Sequence, residues 1–237
     1  MIQENLNKQI FITAISLIAV LCLFQFTNLD IYVQSFFYDF NTKDWFIDKN
    51  EPILRFFLYD GLKKAIILFN VLILIALLFF RKKQIVQEYK KGLLIVLLSS
   101  IFIPSIIGSL KAFTNTPCPC NIVKFGGTYP EKKVFDSYPE GFVQKSKVKC
   151  WPAGHASGGF ALMSLFFLFK KPRNQKIALI SVLILAWSMG NYKMLLGDHF
   201  LSHTIITMLL AWLIILIIVK FISFKQQRRT FEKPTKI

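Results

Sequence analysis

Acidic residues are scarce in this chain. Its 13 Asp and Glu face 29 Lys and Arg, leaving a formal charge of +16. In a soluble protein that balance points to nucleic acid. Here 54% of residues are hydrophobic and mean hydropathy is +0.50. That is too apolar for an ordinary soluble domain, so the charge is read against a membrane and nucleic acid is set aside. Arginine is rare beside lysine, a bias that carries no functional reading. Cysteine is scarce as well. Cys22 lies inside an apolar run, whereas Cys118, Cys120 and Cys150 share one loop, where a disulfide requires an oxidising compartment. A zinc site on those three cysteines is disfavoured, because C-x-C is not a usual zinc-knuckle spacing. A cleavage site is missing after the first apolar run, since Gln25, Phe26, Thr27, Asn28 and Leu29 offer no small-x-small pair. This argues against a signal peptide and for a retained span. No internal repeat is found.

What is present is a series of apolar runs, and they predict an all-α, polytopic membrane helix bundle of six transmembrane helices. The spans are expected at residues 10–26, about 65–80, 92–110, 153–169, 177–196 and 203–219. Asn50 is the expected N-cap of the second helix, with Pro52 in its first turn. The third span carries Pro104 and Gly108, where a kink is tolerable in a membrane. The fourth is short, about 25 Å at 1.5 Å per residue. Its Gly154 and Gly158, four apart, suit close helix contact. Residues 1–237 read as one membrane-embedded domain with outer loops 28–63 and 112–151 and a basic, disordered tail at 220–237. The first outer loop holds Tyr32, Phe36, Phe37, Tyr38, Phe40, Trp45 and Phe46, the composition of an aromatic belt against lipid headgroups.

The short turns 81–91 and 170–176 and the tail are densely basic. The positive-inside rule then places both termini in the cytoplasm and the loops after spans one, three and five outside. Most of the positive charge is accounted for by orientation and contact with anionic lipid.

The chain has three histidines, and all fall at that outer face. His155 stands where a lysine-rich loop turns into an apolar helix, in Cys150-Trp-Pro-Ala-Gly-His-Ala-Ser-Gly-Gly-Phe160. Pro152 fixes the start of that helix, and Gly154 lets backbone approach a ligand. Unpaired N–H groups and the helix dipole favour an anion there, phosphate above all. His199 and His203 lie in the turn Tyr192-Lys193-x5-His199-x3-His203, and Lys111 ends the third span ahead of Cys118-Pro119. Together these residues suit phosphoryl transfer. Lys111 and Lys193 neutralise phosphate oxygens, one histidine attacks phosphorus, and another protonates the leaving oxygen. Ionisable groups near membrane depth are costly and mark function, although either lysine alone is also explained by snorkelling to the interface.

The three segments resemble the signature of the type 2 phosphatidic acid phosphatase superfamily: K-x6-R-P, P-S-G-H and S-R-x5-H-x3-D. The resemblance covers spans three through six, a catalytic core of about residues 92–219. It implies that His199 is the nucleophile of a phosphohistidine intermediate and His155 the general acid, with His203 at the position of the residue that orients the nucleophile. Lys111, Lys193 and the Gly154 backbone would hold phosphate, with no metal and no cofactor. The departures are Cys118 for arginine, Ala153 and Tyr192 for serines, Lys193 for arginine, and His203 for aspartate. Lys193 keeps charge but loses the bidentate fork, and a neutral His203 can accept a hydrogen bond but supplies no negative charge. The chain also looks like a divergent bacterial membrane-bound branch with C-P, C-x-P-A-G-H-A-S-G-G-F and H-F-x-S-H. That likeness suggests a Cys118–Cys150 disulfide.

The expected function is hydrolysis of a lipid phosphate or diphosphate monoester at the periplasmic face of a bacterial inner membrane. Lipid A phosphate, undecaprenyl diphosphate and phosphatidylglycerol phosphate are the substrates such resemblances suggest, and the expected partners are that lipid and the bilayer. The rival readings are a lipid-to-lipid phosphotransferase on the same site, a degenerate lipid-binding protein and, less favoured, a transporter. Cys120, Asp198 and the Phe125-Gly126-Gly127 turn receive no role.

Overall fold

Helix α1 (Ile2–Phe26) opens the computed structural model, which describes residues 2–49 and 51–231, with side chains from 4 to 224. A short helix α2 (Leu29–Ser35) and an antiparallel pair of two-residue strands, β1 (Tyr38–Asp39) and β2 (Asp44–Trp45), follow it. Helix α3 (Pro52–Arg55) runs through a π turn, Phe56–Asp60, into α4 (Gly61–Phe79). Next come α5 (Gln84–Thr114) and, after a long loop, α6 (Gly154–Ala161) with a 3-10 continuation, Leu162–Phe167. Helices α7 (Pro172–Leu195) and α8 (Leu201–Phe231) complete the bundle. The expected cap Asn50 lies outside the described residues. Glu51 caps α3, its carboxylate accepting from the Leu54 N–H at 2.6 Å.

Among the described residues five helices are long and apolar enough to cross a membrane: Glu4–Phe26, Pro52–Phe79, Gln84–Asn121, Pro172–Leu195 and Leu201–Phe224. This is a multi-span helical bundle. The segment expected as the fourth span is instead an eight-residue α-helix tightened into a 3-10 turn. It is enclosed by the bundle, packed among α5, α7 and α8 with Ala156, Phe160 and Ala161 buried.

Lipid tails are as apolar as leucine, so helices in a bilayer associate by close packing rather than by escape from water. Gly159 serves this purpose. A Cβ there would lie 3.0 Å from both the Ala186 Cα and the Met189 Sδ of α7, whereas one on Gly158 would meet nothing. The expected pairing of Gly154 with Gly158 is therefore corrected: Gly159 makes the helix contact, and Gly154 faces Lys111. Large apolar side chains such as Phe11, Ile15 and Ile18 of α1 and Ile67, Leu68 and Phe79 of α4 point outward, as lipid-facing residues must.

Two further expectations change. The tail is not disordered through residue 231, because α8 continues to Phe231. Residues 220–231 contain no glycine or proline to stop it, and the remaining expected tail, 232–237, lies outside the described residues. Nor do all the loop aromatics lie against headgroups. Tyr38 and Trp45 are a cross-strand pair, and they pack on Phe125 with ring centroids 5.4 and 5.5 Å away. Ile31, Ile122 and Phe200 complete that satellite core, while Tyr32, Phe36, Phe40 and Phe46 stay exposed.

The outer loops are fastened to the bundle by hydrogen bonds. Buried Gln34 donates to the Met194 carbonyl at 2.8 Å. Asp30 accepts from the Ser202 N–H at 2.8 Å, at the start of α8. Asn115, in the left-handed region at φ 48°, ends α5, and its side-chain oxygen accepts from Gln144 and the Val148 N–H.

Candidate active site

The three histidines meet where α6 and α8 begin. The Ala153 N–H donates to the Thr207 hydroxyl at 2.9 Å and to the His203 carbonyl at 3.3 Å. This pins the start of α6 to the first turns of α8. His155 is the second residue of α6, and its ring centroid lies 6.5 Å from that of His199. His199 sits in the turn between α7 and α8, almost fully buried at 3% exposure. Its Nδ1 faces His203 Nδ1 at 3.3 Å.

The turn that presents His199 is tightly specified. Gly197 has φ +71°, and a Cβ on it would run into the Trp45 indole. Its carbonyl accepts from the Cys120 N–H at 2.9 Å. The His199 N–H in turn donates to the Lys193 carbonyl at 3.3 Å. Thus β2, the long loop and the end of α7 hold one glycine, two residues ahead of His199.

The cations surround this turn. Lys111, in the last turn of α5, reaches the start of α6, and a Cβ on Gly154 would stand 3.5 Å from its Nζ. Lys193 Nζ lies 2.9 Å from Asp198 Oδ2 and 4.4 Å from the Tyr59 ring centroid. The second oxygen of Asp198 lies 3.3 Å from Lys49 Nζ. Burial first, then electrostatic interaction with His203, Lys111, His155 and Lys193, pushes the His199 imidazole well below its ordinary pKa. The ring is therefore held neutral, as a nucleophile requires.

All six residues singled out from the sequence, His155, His199, His203, Lys111, Lys193 and Gly154, are brought to one end of the bundle. Cys118 and Cys150 are joined by a disulfide with Cα atoms 5.2 Å apart, which ties the loop after α5 to the start of α6. The sulfurs of a disulfide are not thiolates, so they cannot serve the zinc site weighed above.

Three neighbours were not anticipated. Tyr59, from the π turn, shares a 2.7 Å hydrogen bond with His155 Nε2, and its ring lies 4.5 Å from the imidazole. Asp198 and Lys49 form the ion pairs just described. The signal for Tyr59 is the Tyr-Asp-Gly break just ahead of the apolar run that begins at Ala65. For Asp198 it is a lone carboxylate beside a histidine. Lys49 has no local signal, being one lysine among many.

The arrangement offers a buried neutral imidazole, a second imidazole facing it, a helix N-terminus and two lysines. Such a set can bind a phosphate group and exchange protons with it. The profile of the PAP2 superfamily matches residues 91–227, more than half of the chain. The chain belongs to the PAP2 superfamily. No curated protein and no solved structure matches it. Membership supports a phosphatase-type hydrolase acting on a phosphate ester, in a multi-pass membrane setting given by the five long apolar helices. The matched region contains His155, His199, His203, Lys111 and Lys193, whereas Tyr59, Lys49 and Trp45 precede it.

Proposed function

We propose that this PAP2 protein is a lipid phosphatase of the divergent bacterial membrane-bound branch. It removes phosphate from a lipid phosphate or diphosphate monoester at the periplasmic face of the inner membrane. The observation that carries the reading is the His155–His199 pair, 6.5 Å between ring centroids, with Lys111 and Lys193 beside it. The six-span topology follows if α6 and its 3-10 continuation count as a span, with both termini cytoplasmic. The headgroup then reaches the histidines while its acyl chains stay in the bilayer. Lipid A phosphate, undecaprenyl diphosphate and phosphatidylglycerol phosphate all fit that description.

In the first step a His199 nitrogen attacks phosphorus and the P–O bond to the lipid breaks. The leaving oxygen takes a proton from His155. In the second step His155 accepts a proton from water, the oxygen attacks phosphorus, and the P–N bond breaks to release phosphate. The mechanism takes the tautomer in which His203 Nδ1 is the acceptor of its 3.3 Å contact with His199 Nδ1. His199 then donates Nδ1–H to it and keeps the Nε2 lone pair for phosphorus. Lys111, Lys193 and the Gly154 N–H receive the phosphate oxygens. Tyr59 holds the His155 ring in place.

The test is phosphate release by the purified protein from a panel of lipid phosphates. His199→Ala should abolish turnover and prevent trapping of radiolabelled phosphate on the protein. His155→Ala should lower turnover by roughly 100-fold to 10,000-fold, the usual worth of a general acid. Normal turnover in both variants would sink the mechanism.

A further inference from the structure

The charge at the phosphate site is not supplied by the motif residues alone. Position 118 is a disulfide-bonded cysteine, so no guanidinium is present there. Lys111 and Lys193 remain, and Lys193 is already engaged. Its Nζ sits 2.9 Å from Asp198 Oδ2, and its side chain is only 12% exposed. Two lysines against one carboxylate leave a single net positive charge to meet a phosphomonoester dianion. Asp198 immediately precedes His199, so an unpaired carboxylate there would stand next to the incoming phosphate and repel it.

The other oxygen of that carboxylate is held from outside the core. Lys49 Nζ lies 3.3 Å from Asp198 Oδ1, with its side chain half exposed. Lys49 comes from the first outer loop, ahead of the family-matched residues 91–227. Its location is fixed by the surrounding structure. Four residues earlier, Trp45 packs against Gly197, the neighbour of Asp198. The Lys49 ammonium also interacts with Cys120, whose N–H donates to the Gly197 carbonyl at 2.9 Å.

We propose that Lys49 is a positioning residue for phosphate binding, acting through Asp198. Asp198 bridges Lys193 and Lys49. When a substrate phosphate arrives, Lys193 exchanges the carboxylate oxygen for a phosphate oxygen, and Lys49 keeps the carboxylate paired. A buried or half-buried carboxylate is thus never left uncompensated beside a dianion. With phosphate bound, Lys111 and Lys193 face its two charges and Lys49 faces Asp198. That balance suits a phosphomonoester, whereas the single charge of a phosphodiester leaves a cation unmatched. The inference rests on the phosphatase reading for its substrate class, but the exchange itself requires only that phosphate binds.

The experiment uses the full chain in detergent micelles, with dioctanoyl phosphatidic acid as substrate and radiolabelled inorganic phosphate in equilibrium dialysis. Wild type is compared with Lys49→Gln, Lys49→Arg, Asp198→Asn and the Lys49→Gln/Asp198→Asn double variant. Lys49→Gln should raise KM and the phosphate Kd about fivefold, roughly the free energy of one half-exposed ion pair, and leave kcat within about twofold. Lys49→Arg should restore both constants. In the Asp198→Asn background, Lys49→Gln should have no further effect, because there is no carboxylate left to hold. A penalty of equal size in that background overturns the proposal, since the lysine would then touch substrate directly or support the fold. No penalty in either background overturns it as well. Absence of turnover in wild type would count against the phosphatase reading alone, with dialysis still reporting the exchange. Absence of phosphate binding in wild type would overturn both.

Discussion

Replacing His203 with aspartate puts a carboxylate behind His199, and the acid limb of the pH–rate profile should move upward. In the native protein His199 is held well below its ordinary pKa, first by burial and then by electrostatic interaction with His203 and Lys111. Its nucleophilic form therefore persists as pH falls through the usual imidazole range, and the acid limb of kcat/KM should lie below pH 6.5. The His203 and His199 ring centroids are 5.5 Å apart. A negative charge at that distance, at an effective dielectric of about 20, stabilises an imidazolium by about 3 kcal/mol. That corresponds to a rise of about two pH units in the acid limb. The sign is unambiguous, because the carboxylate favours the protonated ring and takes the nucleophile out of play at higher pH. Phosphate release measured from pH 4.5 to 8 on a soluble short-chain lipid phosphate reads the limb directly. His203→Asn is the control: it keeps a hydrogen-bonding side chain without the charge and should leave the limb low. An equal limb in His203→Asp and His203→Asn would refute the electrostatic reasoning.

Three further outcomes follow from the geometry. Gly197→Ala places a Cβ at φ +71° and against Trp45. It should cost about 2–5 kcal/mol in stability from the left-handed backbone and the clash together, with loss of turnover, and native melting and activity would contradict this. The Cys118–Cys150 disulfide closes a loop with a sequence separation of 32. By chain entropy that is worth about 4 kcal/mol, so reduction or Cys118→Ser should lower the melting temperature in detergent, whereas an unchanged melt would argue against the bond. Burial raises the Asp30 carboxyl to about 6. The folded chain then holds a proton that the unfolded chain has lost, so this contribution is full at low pH and fades as pH rises through about 6. Asp30→Asn keeps an acceptor for the Ser202 N–H and should flatten that slope, and a slope identical to wild type would refute the assignment.

The helical bundle and the site's membership were legible because each leaves a local mark. An apolar run of about 20 residues reports a span by composition, and K-x6-C-P, P-A-G-H and H-x3-H stand at fixed spacings in the chain. What was not legible depends on tertiary packing. The short α6 reads as a span by hydropathy, yet it is tightened and enclosed because Gly159 lets α7 approach its backbone. Tyr38 and Trp45 look like interfacial aromatics until a two-residue strand pair turns them toward Phe125. Tyr59 and Lys49 reach the histidine cluster from segments roughly 100 and 150 residues away along the chain from His155 and His199. Contacts at that separation have no period and no motif.

The contact between Gly197 and Trp45 bears on how this chain can be divided. The family match begins at residue 91, which invites treating the preceding segment as a membrane anchor and the remainder as a portable enzyme. Yet the backbone that carries His199 rests on an indole from residue 45. The same leading segment supplies the phenol on His155 and the ammonium on Asp198. A chimera that exchanged residues 1–90 with those of another family member would therefore exchange part of the histidine cluster's floor and wall, and inherit the donor's substrate affinity along with its first two long apolar helices.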